Sequence, residues 1–229
     1  MKRSLSILFV VLSSAALSLA QAEDAIEGAT VKSGKTYSMR GGKLEQLDTI
    51  IKFPFEIEIN TNGTFRVANG EPRNIQENQI VRSDGWLLNA DGSVEPVFDH
   101  VGMKGGRVVL VKAGVAEPLA TPMQFPNKLQ VAPDGNSVSP SGKRSRLIDG
   151  QLFHLDGTAI QSKDTVTLRN GSVMVQKDGR LITLSRIQTM GMNDGSRVQG
   201  DGFIKKKDGA TIKLQEGQTF FIAGPVTDH

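Results

Sequence analysis

The chain has 229 residues, no cysteine, 25 glycines and a formal net charge of +3, with 38% hydrophobic and 5% aromatic residues. Without cysteine no disulfide framework is available, so the fold depends on packing and hydrogen bonds. The near-balanced charge argues against a nucleic-acid-binding protein, which carries a clearly basic face, and we expect no nucleic-acid partner.

The first 22 residues are typical of a secretory signal peptide. Lys2 and Arg3 give a charged start, residues 5–16 are mostly apolar, and residues 20–22 form a small-x-small cleavage site. The apolar run is shorter than the roughly 18 residues that cross a bilayer. Because no cysteine follows it, a lipoprotein anchor is excluded. We therefore expect a periplasmic or secreted protein with no transmembrane segment in the mature chain.

Glycines recur every seven or eight residues through the rest of the chain, and an acidic residue precedes most of them. In the first part of the chain the spacing passes through Gly63, Gly70 and Gly85, with Glu77 beside Asn78 where a glycine is missing. Glycine at such intervals is typical of turns, where it adopts positive φ without steric cost. The turn glycines predicted in this way are Gly135, Gly142, Gly150, Gly157, Gly195, Gly202, Gly209 and Gly217.

The spacing belongs to three copies of one unit. The segments YSMRGGKLEQL, VGMKGGRVVLV and VTLRNGSVMVQ resemble one another, and a similar series of glycines follows each. The copies so aligned cover residues 35–94, 99–159 and 164–226, with a period near 65 residues.

The residues between turns alternate between apolar and polar. The clearest predicted strand runs from Ile51 to Ile59, where Phe53, Phe55 and Ile57 share its apolar face. Asp-Gly and Asn-Gly pairs between such runs favour type I′ hairpins. Outside the first 22 residues there is no helical periodicity. We therefore predict an all-β protein of three tandem β-meander units of about 60 residues, with Asp-Gly and Asn-Gly hairpin turns, after an N-terminal signal peptide.

Few patterns point to chemistry. The acidic residues lack the spacing of an EF-hand or a calcium β-roll. No H-E-x-x-H, G-x-S-x-G or P-loop pattern occurs. We predict no catalytic residue, no cofactor and no enzymatic activity. A dispersed site would lie at the junction of two copies, where His100 follows Asp99, whereas the place of His154 indicates a strand surface.

Other side chains leave alternatives open. Met190 and Met192 are candidate ligands for Cu(I), which thioether sulfur suits, although methionine also fills cores. Trp86 is either a packing residue or a ligand platform. The basic clusters at 143–146 and 205–207 are interpreted as solvated strand faces.

The segments GMKGGRVVLV, TLRNGSVMVQKDGRLITL and VQGDGFIKKKDGATIKLQEG resemble the repeated unit of an exported bacterial family catalogued as domain of unknown function 6799. The resemblance implies a secreted or periplasmic β-repeat protein and implies no reaction. The third copy matches best, the second carries several prolines, and the first lacks a turn glycine at Glu77.

These observations lead to two functional hypotheses. The first is a non-enzymatic exported binding or structural module of the cell envelope, whose partner is an unknown protein or envelope polymer. The alternative is a periplasmic Cu(I)-handling protein that binds the metal through its methionines.

Overall fold

The computed structural model describes residues 26–225, so the predicted signal peptide lies outside the described residues. Within this range β-strands are joined by turns and loops, and no helix occurs. The predicted all-β fold is therefore confirmed. It follows that no helix in residues 26–225 is long and apolar enough to cross a membrane.

The first unit contains ten strands in two antiparallel sheets. With the strands numbered along the chain, the larger sheet has the order β10-β9-β8-β1-β2-β3 and the smaller sheet has the order β4-β5-β6-β7. The strands are β1 (Gly28–Lys32), β2 (Lys35–Arg40), β3 (Lys43–Gln46), β4 (Ile51–Phe53), β5 (Ile57–Ile59), β6 (Thr64–Val67), β7 (Arg73–Asn74), β8 (Ile80–Arg82), β9 (Trp86–Leu88) and β10 (Val94–Pro96).

The second unit repeats this arrangement with nine strands. Its strands are β11 (His100–Lys104), β12 (Arg107–Lys112), β13 (Val115–Pro118), β14 (Met123–Gln124), β15 (Gln130–Val131), β16 (Asn136–Val138), β17 (Arg144–Arg146), β18 (Leu152–His154) and β19 (Ala159–Ile160). The larger sheet has the order β13-β12-β11-β18-β19, and the smaller sheet has the order β14-β15-β16-β17.

The third unit has eight strands in the same two-sheet plan. Its strands are β20 (Lys163–Arg169), β21 (Ser172–Lys177), β22 (Arg180–Leu184), β23 (Thr189–Gly191), β24 (Arg197–Gln199), β25 (Phe203–Lys205), β26 (Thr211–Lys213) and β27 (Thr219–Ala223). The sheets have the orders β22-β21-β20-β27 and β23-β24-β25-β26.

The sheet orders align the three units strand by strand. The strands β1, β11 and β20 occupy the same place in the larger sheets, and β4, β14 and β23 open the smaller sheets. The first unit therefore starts at Gly28, one strand before the Lys35 start that the alignment of glycines predicted. In the second and third units the opening strands start at His100 and Lys163, beside the predicted starts at 99 and 164.

Each unit buries an apolar core between its two sheets. In the third unit Val166 and Val175 of the larger sheet pack against Val198 and Ile204 of the smaller sheet. Each fully buried side chain of this size contributes about 1.5–3 kcal/mol. A core of eight to ten such residues is small for an independent unit of about 60 residues. The units therefore depend on one another for stability.

The predicted strand from Ile51 to Ile59 is two strands, β4 and β5, joined by a tight turn. Pro54 has no N–H for a sheet ladder, and Phe55 and Glu56 adopt positive φ values of 60° and 55°. The turn places Phe55 at its tip, where the residue is 60% exposed, whereas Ile57 and Ile59 are fully buried. The apolar alternation was correct for the buried residues and wrong for the strand's continuity.

The turn glycines have the backbone geometry that only glycine adopts freely. All eight glycines from Gly135 to Gly217 that the spacing predicted as turns have φ between +79° and +91°. The type I′ geometry predicted for Asp-Gly pairs occurs at Asp178-Gly179, where both residues have positive φ. At the eight spaced glycines the preceding residue does not have positive φ. Most of these loops are therefore type I turns followed by a glycine bulge.

The acidic residues before the glycines hold the turns from within. Asp134 Oδ1 accepts the Asn136 N–H at 3.0 Å, and Asp156 Oδ1 accepts the Thr158 N–H at 2.7 Å. Such side-chain bonds to the backbone two residues on are characteristic of Asp and Asn turns. A carboxylate at this position therefore stabilises its own loop.

A second set of carboxylates acts over long distances in the chain. Glu77 accepts the Ser33 N–H at 2.8 Å and Asp149 accepts the Gly106 N–H at 2.8 Å. Glu216 accepts the N–H groups of Asn170 and Gly171. In each unit the carboxylate thus caps the first hairpin of the larger sheet. The residue that follows the carboxylate in the chain has positive φ, which is 63° at Asn78. Asn78 therefore takes the place of the missing glycine, while Glu77 is the equivalent of Asp149 and Glu216.

The capping carboxylate of the third unit provides a test of this arrangement. We expect Glu216→Ala to lower the free energy of unfolding by about 1–3 kcal/mol, because two hairpin N–H groups lose a charged acceptor. Urea unfolding of the purified protein measures the change. Glu117→Ala is the matched control, since Glu117 is an exposed carboxylate on edge strand β13. Equal effects of the two substitutions would contradict the capping role.

Candidate functional site

The three units meet around a cavity of about 360 Å³. Its wall combines Trp86 and Val94 of the first unit with His100 and Leu152 of the second and with Gln176 of the third. An apolar cluster that shares Trp86 and Val94 with this wall, and adds Ile160 with Phe221 packed against it, also draws on all three units. The units are therefore joined by a shared junction rather than being independent beads.

Strand β10 is bonded to the larger sheet of the third unit. The Gln176 side chain accepts the Val94 N–H at 2.6 Å and donates to the Val94 carbonyl at 2.9 Å. The Thr165 hydroxyl donates to the Gly92 carbonyl at 2.6 Å. These bonds satisfy the backbone of an edge strand that has no second strand partner. Gln176 and Thr165 thus act like the next strand of the sheet.

A charged group closes one side of the junction. Asp84 accepts from Arg82 at 3.1 and 3.0 Å, and Lys163 of the third unit donates to the same carboxylate. Burial raises the pKa of Asp84, but the hydrogen bonds and charges of Arg82 and Lys163 outweigh it, so the pKa lies below its usual value. Arg82 also lies 4.1 Å from the centre of the Phe221 ring. The group therefore links the first and third units by both charge and aromatic contact.

Trp86 belongs to this junction. The residue is 4% exposed, packs with Val94 and Ile160, and has the Lys163 ammonium 5.6 Å from its ring centre. Its ring is a buried part of the cavity wall, so an extended sugar-stacking surface is not available at this residue.

The two histidines of the second unit lie side by side. His100 and His154 are directly opposite each other on β11 and β18, and the His154 ring packs against the Phe98 ring at a tilt of 40°, with centres 4.8 Å apart. His100 is 5% exposed, and its Nδ1 lies 2.9 Å from the Phe98 carbonyl. Burial lowers the pKa of both imidazoles. Both rings are therefore neutral at neutral pH.

Asp99, which the sequence placed beside His100 in a dispersed site, has another contact. Its Oδ1 accepts the Ala113 N–H at 2.8 Å, which caps the second hairpin of the second unit. In the third unit Asp164 occupies the equivalent place and accepts the Asp178 N–H at 2.9 Å. The structure brings His100 and His154 together and directs the Asp99 carboxylate to a backbone turn.

Asp164 is the most perturbed acid in the described part of the chain. It is 1% exposed, and its second carboxylate oxygen accepts from Asn193 at 3.0 Å. Burial, with a smaller contribution from the negative charge of Asp178, raises the pKa of Asp164 to about 6 despite these hydrogen bonds. This carboxyl group therefore changes its charge within the folded protein at mildly acidic pH.

The methionine candidates lie in the core of the third unit. Met192 is 6% exposed and packs with Val198 and Leu184, and Met190 packs against the same cluster. The structure thus brings Met190 and Met192 onto one face of β23 and its extension, in apolar surroundings. Among residues 26–225, no group of three or more His, Asp or Glu side chains is arranged to hold a metal ion.

Apart from Trp86 and His100, the sequence did not indicate the junction residues named above. Gln176 and Asp84 are unremarkable in a single sequence, because their partners lie 82 and 79 residues away. Trp86 was visible as the single tryptophan of the chain. Another set of glutamines did have a local signal, because glutamine recurs at equivalent turns, at Gln79, Gln151 and Gln218. There its side-chain oxygen accepts the N–H three residues earlier.

Comparison with known proteins identifies the family. The model of the family described as "Domain of unknown function (DUF6799)" matches residues 98–159 and 163–226. These two matches cover more than half of the chain, so the chain belongs to this family, and the resemblance seen in the sequence is confirmed. The matched ranges are the second and third units, and the first unit shares their sheet order. No curated protein and no solved structure matches the chain.

The bonds between Gln176 and Val94 predict how firmly the units are joined. We expect Gln176→Leu to lower the free energy of unfolding by about 2–4 kcal/mol, because a buried N–H and a buried carbonyl lose their partner. Gln130→Leu makes the same chemical change at an exposed position. Urea unfolding of both variants measures the difference. A loss for Gln176→Leu no larger than that for Gln130→Leu would contradict the role of Gln176.

Asp164 predicts a pH dependence of stability. The carboxyl group titrates near 3.9 in the unfolded chain and at about 6 in the folded protein. Between these values the folded state binds more protons, so the free energy of unfolding falls as the pH rises through this window, by about 2–3 kcal/mol. Urea unfolding across this pH range is expected to show the fall in the wild type and a flatter profile in Asp164→Asn. The exposed Asp48→Asn control is expected to keep the wild-type profile, and an unchanged slope in Asp164→Asn would refute the assignment.

Proposed function

We propose that this member of the family is an exported, non-enzymatic binding or structural module of the cell envelope. Export rests on the charged start, the apolar run and the small-x-small site within the first 22 residues. The same signal supports a location in the periplasm or outside the cell.

One observation carries the proposal of a binding or structural role. The acidic side chains that the units have in common are occupied by the fold, either within their own turns, as Asp134 and Asp156 are, or as hairpin caps, as Asp149 and Glu216 are. Repetition in this protein therefore serves architecture. The outer faces of the sheets remain open to solvent, and these are surfaces that a stacked β-repeat presents to a partner.

The junction supports the same proposal. A repeat protein with three small cores needs contacts between its units, and the junction supplies them through Gln176 and through the Asp84–Lys163 pair. The result is a firm scaffold with its sheet faces outward. The alternative, Cu(I) handling through Met190 and Met192, has support in the packing of both methionines against one apolar cluster, two residues apart in the chain.

The first experiment is native mass spectrometry of the protein purified from its own envelope fraction without chelator. We expect a chain that begins after Ala22 and carries no stoichiometric metal. A chain that retains residues 1–22 in the cytoplasm would overturn export, and a bound copper ion would favour the alternative.

A methionine double variant separates packing from copper binding. We expect Met190→Leu/Met192→Leu to titrate with Cu(I) as the wild type does, because leucine preserves the packing of the core. Met103→Leu, at a buried methionine in the core of the second unit, is the matched control. Loss of Cu(I) uptake in the double variant alone would replace the proposed module with a copper-handling protein.

A further inference from the structure

The smaller sheet of the third unit differs from its counterparts in the charges that stand directly opposite each other on its outward surface. Strand alternation directs Val198 and Ile204 into the core and leaves the neighbouring side chains outside. We call this surface the basic face. Its residues, all exposed or half-buried, are Arg197, Gln199, Phe203, Lys205, Thr211 and Lys213.

Like charges face each other across the strands of the basic face. Arg197 on β24 is directly opposite Lys205 on β25. No acidic group of residues 26–225 lies within 4.0 Å of either side chain. Like charges in this position destabilise an antiparallel pair. The arrangement therefore works against the stability of the unit.

The first unit shows that the fold does not require this arrangement. On its smaller sheet Glu58 stands between Lys52 at 3.7 Å and Arg66 at 3.1 Å. The hydrogen bond and charge of Arg66 lower the pKa of Glu58. The same sheet can therefore carry alternating charges that attract one another.

Equivalent positions can be read from the turn glycines. Glu58, Gln130 and Arg197 each stand five residues before the glycine that follows the second strand of the smaller sheet. Across the three units this position thus changes from acidic to neutral to basic. Arg66 and Lys205 each stand three residues after that glycine, so the first and third units share the opposing basic residue, whereas the second unit has Val138 there. The third unit has exchanged the central acid of the ladder for a second base.

The acids near the basic face are held at its edges. Asp194 accepts the Ser196 N–H at 2.8 Å, and Asp208 accepts the Ala210 N–H at 2.9 Å, each within its own turn. Lys206 and Lys207 extend the positive charge along the chain, and both are exposed. Residues 191–213 carry five basic and three acidic side chains, and the equivalent residues 124–146 of the second unit carry four and one, whereas the equivalent residues 52–74 of the first unit carry three of each.

We propose that the basic face binds an anionic polysaccharide, a polymer that bears carboxylate, phosphate or sulfate groups. The inference rests on the proposed function, because an exported protein meets such polymers in the envelope. Arg and Lys bind these groups by charge-assisted hydrogen bonds. Phe203 is the aromatic residue of the face, and Lys213 lies 4.0 Å from its ring centre. It is covered by a cation, so base stacking, on which single-stranded nucleic-acid binding depends, has no open platform there.

The test exchanges the charge patterns of two units. Arg197→Glu places an acid opposite Lys205, as Glu58 is placed opposite Arg66. We expect this variant to bind dextran sulfate and polygalacturonate at least about tenfold more weakly, with a shallower salt dependence, since fewer counterions are released. We also expect its urea midpoint to be unchanged or raised, because an attraction replaces a repulsion. Titration with the labelled polymers and with neutral dextran measures the binding.

Two further variants make the result specific. Lys43→Glu makes an equivalent change of charge on edge strand β3 and is expected to bind as the wild type does. Glu58→Arg gives the first unit the pattern of the third and is expected to increase binding and lower the urea midpoint.

The outcomes decide the inference. Equal weakening by Arg197→Glu and Lys43→Glu, or failure of the wild type to bind either charged polymer, would overturn it. Tighter binding of a single-stranded oligonucleotide that Arg197→Glu also abolishes would assign the face to nucleic acid and overturn it as well. If the protein is exported but does not bind the polymers, this inference alone is refuted. If the protein is retained in the cytoplasm, the proposed function is refuted.

Discussion

The rest of this structure depends on one constraint, which is that its strands are very short and each must end in a turn. The strands have between two and seven residues, so a large share of the backbone N–H groups lies in or beside a loop. Each of these groups needs a partner when it is shielded from water. Glycine supplies the positive φ at the turns, and a carboxylate or amide oxygen beside it accepts the N–H groups that the turn leaves open. The acid-glycine pairs that recur in the sequence are the chemical result of this requirement.

How much of the fold the sequence predicts depends on how local each feature is. A turn glycine and the acid before it form their contacts within five residues of chain, so these features are visible in the sequence. Their spacing was sufficient to predict the all-β class and the three copies. The same spacing gave an incorrect turn type at most loops, because type I′ turns and type I turns with a bulge both use glycine at positive φ. Pro54 was visible in the sequence, but the apolar alternation around it suggested one strand, and the proline divided it into two. The first copy was also aligned one strand late, because the Gly41-Gly42 turn between β2 and β3 resembles in sequence the Gly105-Gly106 turn between β11 and β12, although the first is the second hairpin of its unit.

Features that connect distant residues were not predictable from one sequence. Glu77, Asp149 and Glu216 look like any other acid of a turn, yet each caps a hairpin between 43 and 46 residues earlier in the chain. The difference lies in the tertiary arrangement of the two sheets. The same holds for the junction, where Gln176 takes the place of a neighbouring strand for Val94. A glutamine of this kind has no sequence signature, because its role comes from two backbone groups that another unit presents to it.

Comparison of the three units separates the residues that build the fold from those that are free to differ. The turn glycines, the capping acids and the inward apolar residues recur because each unit needs them for the same backbone geometry. Outward positions carry no such requirement, so Glu58, Gln130 and Arg197 occupy one place in three equivalent sheets. The larger sheets show the same freedom, since Gly28, His100 and Thr165 take equivalent places. His100 lines the cavity at the junction and Thr165 donates a hydrogen bond across it, whereas Gly28 does neither. A chain built from one repeated plan acquires a specific surface only where its copies diverge. Opposed basic residues also flank hairpin turns of the larger sheets, as Lys104 and Arg107 do. Arg197 and Lys205 instead oppose each other on the face of a smaller sheet, at a position where the first unit has an attracting pair, so the requirements of turns and core do not account for them.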